Sequence, residues 1–263
     1  MNKIIEYPFC ILDINTANDF YWDENFSFKG ESHDYWEIVC VLDGEVESVE
    51  DENVYILQRG NVVFHAPGEF HRIKSLGTSH PHVLVMTFHH SGELPKVLRE
   101  GVFTLSESEL CRYEKIFSEC RAFMLGKTDV ADGALAGLEL SAFLIELSSS
   151  HTPGNISSKG KRADEYRKIV DAMQSGIEEN LTLQQIATRA AVSLSNMKLL
   201  FKEFSGVGPK SYYSELRLRE AIRLLDGGNS VTEVAAKLGF SSPNYFSLFF
   251  KRRTGMLPKK MKK

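Results

Sequence analysis

The chain reads as a multidomain α+β protein: an N-terminal jelly-roll β-barrel with a following helix pair, then a C-terminal all-α domain with two helix-turn-helix motifs. Three observations carry that reading. Short β-branched and aromatic runs separated by Gly, Asp, Asn or Pro fill residues 1 to 90. From Leu105 the apolar period changes from two to about 3.6. Leu181 to Lys263 then holds one local pattern twice.

The predicted strands are Cys10–Leu12, Phe26–Phe28, Glu37–Leu42, Glu45–Glu47, Val54–Leu57, Val62–Phe64, His71–Ile73 and Val83–Phe88. Asp43-Gly44 predicts a hairpin turn, and Arg59-Gly60-Asn61 and Pro67-Gly68 predict further turns. Ser106-Glu107-Ser108-Glu109 is a capping box that opens a helix with Leu110, Tyr113, Phe117, Cys120 and Met124 on one face, ending near Gly126. A second helix follows with Leu135, Leu138, Phe143, Leu144 and Leu147. Ser148 to Arg162 is rich in Ser, Gly and Lys and reads as a flexible linker. The expected divisions are therefore 1–95 for the barrel, 96–150 for the helix pair, 151–162 for the linker and 163–263 for the C-terminal domain.

Tyr166, Ile169, Val170, Met173 and Ile177 give the first C-terminal helix its inner face. The duplication follows. Ile186, Ala187, Ala190 and Val192 recur as Val234, Ala235, Leu238 and Phe240, and Leu200-Phe201-Lys202 recurs as Phe249-Phe250-Lys251. Each copy is a short amphipathic helix, a tight turn and a second helix opening on Ser or Asn. Met197, Leu200, Phe201 and Phe204 form the inner face of one second helix; Tyr245, Phe246, Phe249 and Phe250 form that of the other. A joining helix runs from Pro209 to Asp226 and stops at Gly227-Gly228.

These residues resemble the DNA-binding domain of the AraC/XylS family of bacterial transcription regulators. The likeness rests on Phe201-Lys202 with Gly206 and Pro209, on Leu216-Arg217-Leu218 through Leu224-Leu225, on Val234-Ala235 with Leu238-Gly239-Phe240, and on Asn244 through Gly255. It implies that each second helix enters a major groove of double-stranded DNA. The positions expected to face DNA are Ser195, Asn196, Lys198, Leu199 and Lys202 in the first unit, and Asn244, Ser247, Leu248, Lys251 and Arg252 in the second. Asn suits adenine, Lys suits guanine or phosphate, and an exposed Leu suits a thymine methyl. Family members often carry Arg at the positions of Leu199 and Leu248, so readout here is expected to be more apolar. Arg217 fits the family pattern as a structural ion pair or backbone contact. Arg253, Lys259, Lys260, Lys262 and Lys263 are expected to meet phosphates, which give affinity without specificity.

His33, Trp36-Glu37, Gly44, Gly60, Pro67-Gly68 and His71 resemble the sugar-binding cupin domain at the N-terminus of many such regulators. The resemblance implies a small organic effector such as a carbohydrate, with Trp22, His33, Trp36, Glu37, His65, His71 and His82 as contacts. His80 is a further candidate, and Tyr7-Pro8-Phe9 lies on an N-terminal arm that could close over the ligand. Relative to metal-binding cupins, His33, Glu37 and His71 fall at ligand positions, but Glu31 stands where a histidine is usual. A metal-binding cupin sensor or enzyme is therefore the alternative, and neither a metal nor a cofactor is assigned. The resemblance also implies a homodimer held by the helix pair, with RNA polymerase as a possible partner.

Composition limits the remaining classes. No apolar run approaches the ~20 residues of a transmembrane helix, and the N-terminus lacks a secretory pattern, so a cytoplasmic protein without a membrane partner is expected. Cys10, Cys40, Cys111 and Cys120 form no C-x-x-C pair. The net charge of −4 hides a split. Residues 1–160 carry 12 basic against 25 acidic side chains, a net of −13, while residues 161–263 carry 19 against 10, a net of +9. A basic C-terminal domain suits a phosphate backbone. No nucleophile–base pair, phosphate-binding glycine loop or paired catalytic carboxylate stands out, and the chain is read as a non-enzyme.

Overall fold

The computed structural model describes residues 9–77, 80–154 and 160–260. The chain divides into two compact units, the first made mainly of residues up to 158 and the second mainly of residues from 159 on.

The first unit is a two-sheet jelly roll. Its strands are β1 (Phe9–Tyr21), β2 (Trp36–Asp43), β3 (Val46–Glu50), β4 (Asn53–Leu57), β5 (Asn61–His65), β6 (His71–Ser75), β7 (His82–Gly92) and β8 (Phe103–Thr104). One sheet has the order β1-β7-β2-β5-β8, the other β4-β3-β6. Side chains alternate across β2. Trp36, Ile38, Cys40 and Leu42 join a core with Phe64, Met86, Phe88, Leu110, Tyr113, Phe143 and Leu144. Val39 and Val41 point the other way, to Val46, Tyr55, Leu57, Val63 and Val83 between the sheets.

Two sequence expectations are corrected here. Asp43-Gly44 forms a turn but not a hairpin, because β2 is already flanked by β7 and β5 and has no edge free for β3. The turn instead passes the chain from one sheet to the other. Phe26–Phe28 forms no named strand: Ser27 makes only an isolated bridge to Lys74. Conversely, β1 extends to Tyr21 along β7 although Asp13, Asn15, Asn18 and Asp19 give it little apolar pattern. Phe9, expected on an arm, begins β1 and is buried in the sheet–helix core. Tyr7 and Pro8 lie outside the described residues.

Helices α1 (Glu107–Met124) and α2 (Val130–Ser150) cover the outer face of the five-stranded sheet. The capping box at Ser106 and Glu109 is present. Leu110, Tyr113, Phe117 and Cys120 are buried, but Met124 is exposed. On α2 the inner face is Ala136, Leu140, Phe143, Leu144 and Leu147. Leu135 and Leu138, expected on that face, are 64% and 58% exposed. They sit one and two residues out of phase with Ala136 and Leu140, on the opposite flank of the helix.

The second unit contains α3 (Lys161–Ser175), α4 (Leu183–Arg189), α5 (Leu194–Phe204), α6 (Pro209–Asp226), α7 (Val231–Lys237) and α8 (Pro243–Thr254). Ile177, expected in the first helix, begins a separate 3-10 turn, Ile177–Glu179. The short helices α4 and α7 open on the same device: Thr182 with Gln185 and Ser230 with Glu233 form reciprocal capping boxes. Ser193 caps α5 and Ser242 caps α8, each accepting from the backbone N–H three residues on. Leu218, Ala221, Leu224 and Leu225 of α6 meet Val234, Ala235, Leu238, Phe240, Phe246 and Phe250 in the second repeat's core. Arg217 is buried against this core, its guanidinium donating to the Leu238 carbonyl and to Asn180 and lying 4.1 Å from the Phe240 ring centroid. It is a backbone clamp, not an ion pair, and burial pulls its pKa below the usual guanidinium value.

Candidate DNA-reading helices and barrel site

The second helix of each repeat, α5 or α8, is held by its buried apolar residues and leaves its other face open. On α5, Ser195, Lys198, Leu199 and Lys202 are exposed, with Leu199 at 57%. Asn196 is half-buried, and its side-chain amide donates to the Glu165 carboxylate of α3 at 2.8 Å. On α8, Asn244, Leu248, Lys251 and Arg252 are exposed and Ser247 is half-buried. Beside α5 lies a cleft of about 400 Å³ lined by Leu183, Lys198, Lys202 and residues 206–210.

Tyr245 corrects the sequence reading. Four aromatics at 245, 246, 249 and 250 span too wide an arc for one helix face, and only Phe246 and Phe250, one turn apart, are fully buried. Tyr245 is 58% exposed, next to Asn244 and one turn before Leu248. It joins the open face. In the first repeat the matching position is Asn196.

Inside the first unit, four of the expected effector contacts come together. Glu37 on β2 lies at the centre: its carboxylate oxygens are 3.8 Å from His33 Nε2, 3.9 Å from His65 Nε2 and 3.5 Å from His71 Nε2. His65 on β5 stacks on His71 of β6, ring centroids 4.2 Å apart and planes 7° from parallel. Its Nδ1 is 3.5 Å from Glu50 of β3, which the sequence reading missed. Glu31 reaches the same place because residues 30–31 run against β6, with Glu31 bridging His71. Gly30 permits this approach: its φ is +82°, and a Cβ there would meet the Phe70 ring at 2.5 Å.

Burial pushes the His65 imidazole well below its ordinary pKa, helped by His71 and His33. Burial also lowers His71, against the opposing pull of Glu37. For His33 burial again acts downward, but Glu37, the Tyr35 carbonyl and Glu31 together outweigh it and leave the pKa raised.

The remaining expected contacts are elsewhere. Trp36 points to the helix-covered side of its sheet, with Phe88 and the Arg99 guanidinium against it. His82 falls in phase with Leu84 and Met86, away from the barrel interior, and pairs with Asp19 at 2.7 Å, which also holds Arg121 of α1. Both corrections have one cause: the five-stranded sheet is buried on both faces, so apolar alternation alone does not tell inner from outer. Trp22 does lie between the sheets, but among Val39, Val41, Val83 and Phe26, in the apolar core. His80 is exposed.

A jelly-roll barrel with buried histidines and carboxylates, followed by two capped helix-turn-helix units, defines a DNA-binding transcription regulator with a cupin domain. Residues 23–88 match the model described as a cupin domain, and residues 186–263 match the one described as a helix-turn-helix domain. The transcriptional activator RhaS of Yersinia pestis (strain Pestoides F) is 25% identical over 260 residues, covering 90% of this chain and 89% of RhaS. Among solved structures, ToxT from Vibrio cholerae O395 matches 98% of this chain and 99% of its own at 16% identity and a TM-score of 0.38. An AraC-type regulator from Chromobacterium violaceum matches 37% of this chain and 88% of its own at 32% identity and a TM-score of 0.35. The chain belongs to the AraC family of transcription regulators. No helix among the described residues is long and apolar enough to cross a membrane.

Proposed function

We propose that this chain is a sequence-specific regulator that reads two successive major grooves through α5 and α8. The observation that carries this is the repeated open face: an exposed Leu and an exposed Lys stand at matching places on both helices, Leu199 and Lys202 on one, Leu248 and Lys251 on the other. Ser195, Asn196, Lys198, Asn244, Ser247 and Tyr245 add polar contacts, and Arg252 and the C-terminal lysines meet phosphate. Asn196 reads a base only after leaving Glu165.

In this reading residues 1–95 sense, 96–150 dimerise, 151–162 link and 163–263 bind DNA. The apolar flank of α2, with Val130, Leu135 and Leu138 exposed, supports a homodimer. The gathered His33, Glu37, His65 and His71 mark where the barrel takes its effector, a carbohydrate or another small polar molecule. Effector binding shifts which half-sites a dimer spans, which requires tighter binding to one state than to the other. The relative RhaS is named an activator; by analogy this chain would work in the cytoplasm beside RNA polymerase.

The test is selection from a duplex library at two salt concentrations, repeated with Lys198→Ala and Asn244→Ala. Enriched sites whose base preference changes with these substitutions support the reading. Uniform, strongly salt-dependent binding would sink it.

A further inference from the structure

We propose that Glu165, on α3, is a specificity-determining residue of the DNA-reading surface: it holds the Asn196 amide of α5 back from the major groove, so that an adenine contact at this position gains little over the bond it must give up. The inference deepens the two-groove reading above and rests on it.

Asn196 stands on the border of its helix. Ser193 caps α5 and accepts from the Asn196 backbone N–H at 3.1 Å, which fixes this residue in the first turn, the part of a recognition helix that meets base edges. One turn on, Leu199 is exposed and Leu200 is buried, so a side chain at 196 can lie toward the groove or toward α3. Glu165 decides between the two. Its neighbour Tyr166 packs on Phe201 and Phe204 of α5, with ring centroids 5.2 Å away in both pairs, and this contact sets the carboxylate beside the first turn of α5. There it accepts from Asn196 Nδ2 at 2.8 Å. An ionised carboxylate only accepts, so the amide has to turn its NH2 to α3 and cannot flip.

Adenine recognition asks for the same atoms. An asparagine lays its carbonyl against the adenine N6–H and its own N–H against N7, and a half-buried amide tied to α3 cannot present both. The bond to be broken is charge-assisted, about twice as strong as a neutral one. Asn196 is the one hydrogen-bond partner of Glu165 among the described residues. Arg162 and Arg167, its neighbours on α3, are engaged with Glu203 and Asp164. Once Asn196 leaves, the half-buried carboxylate is left unpaired beside DNA phosphates that repel it. Gain and loss are therefore of the same order. The second repeat has no such restraint. Tyr245, at the matching position of α8, is exposed, and its hydroxyl makes no hydrogen bond among the described residues. The helix α8 can commit its residue at this place to DNA, whereas α5 can do so only by undoing its bond to α3.

The test uses the full chain as wild type, Glu165→Ala, Glu165→Gln, Asn196→Ala and the Glu165→Ala/Asn196→Ala double variant, each checked for folding by thermal unfolding. The readouts are selection from a duplex library, then affinity for the selected site and its single-base changes. Wild type and Asn196→Ala should select the same base at every position. Glu165→Ala should gain a preference of about 10-fold for adenine at one position in the part of the site read by α5, and the double variant should lose it again. Glu165→Gln removes the charge but keeps an acceptor oxygen, so it should bind every sequence more tightly and gain a smaller adenine preference, about threefold. A merely structural residue would change affinity or unfolding without creating a base preference. An unchanged base profile in folded Glu165→Ala, even with a uniform rise in affinity, overturns the proposal while the groove reading stands. An adenine preference already present in wild type and lost in Asn196→Ala overturns it too. If Glu165→Ala does not fold, an unchanged profile in Glu165→Gln decides against it. A wild type without any enriched site sinks the groove reading and this inference with it.

Discussion

Ala191 and Gly239 occupy the same turn position in the two repeats, and both have positive φ, 55° and 64°. The second repeat uses the residue that tolerates this conformation; the first does not. An L-residue in the left-handed region costs ~1–2 kcal/mol, partly offset by the entropy glycine loses on folding. Ala191→Gly is therefore expected to stabilise the chain by about 0.5–1 kcal/mol in denaturant unfolding. Gly239→Ala should do the reverse and more, because its Cβ would lie 2.6 Å from the Glu178 carbonyl oxygen. A loss above ~2 kcal/mol is expected, and a neutral Gly239→Ala would show that the turn is looser than described.

Arg217 ties the joining helix to both repeats through the Leu238 carbonyl and Asn180. Removing it leaves a buried carbonyl without its donor and empties the space over Phe240. Arg217→Ala should cost about 2–4 kcal/mol, and Arg217→Lys should restore only part of it, since an ammonium cannot reach both acceptors in one plane. Because the side chain is buried, both variants should lose DNA binding only as they unfold and keep it at a temperature where each remains folded, read by thermal unfolding alongside DNA binding. Loss of DNA affinity in a fully folded Arg217→Lys would assign the residue a direct contact instead.

The helix-turn-helix units were legible because their signals are local: caps at Thr182, Ser193, Ser230 and Ser242, and apolar residues at helical spacing. The strands were legible as strands, but their facing was not. Trp36 and His82 turn to the helix side because the sheet between the helices and the second sheet is apolar on both faces. Leu135 and Leu138 went astray similarly, since α2 carries apolar residues on more than one flank. The barrel cluster was partly legible through His33, Glu37 and His71. Glu50 could not be seen, because its place beside His65 depends on the packing of two sheets.

The outward flank of α2 gives a dimerisation test. Leu135 and Leu138 are exposed and contribute nothing to the core of their own chain. Leu138→Glu should leave thermal stability within about 0.5 kcal/mol and convert a dimer to a monomer in sedimentation equilibrium. A variant that stays dimeric, with Leu135→Glu behaving alike, places the contact elsewhere. A wild-type chain that is monomeric at micromolar concentration removes the dimer from the proposal altogether.

Leu199 and Leu248 decide whether the readout is apolar. Each stands at the same place on its helix, exposed at 57% and 46%, where a side chain without hydrogen-bonding groups can recognise only the thymine methyl. Once a binding site has been selected, replacing each of its thymidines singly by deoxyuridine removes that methyl and leaves base pairing intact. One sensitive position is expected per half of the site, about one helical turn apart. Each should weaken binding about fourfold, the equivalent of ~0.8 kcal/mol for one buried methyl. In Leu248→Ala one of the two positions should become insensitive, and in Leu199→Ala the other, so that the double-mutant cycle assigns a helix to each half. Uniform tolerance of deoxyuridine by the wild type would leave both leucines outside the base contacts and return specificity to Lys198, Asn244 and Tyr245.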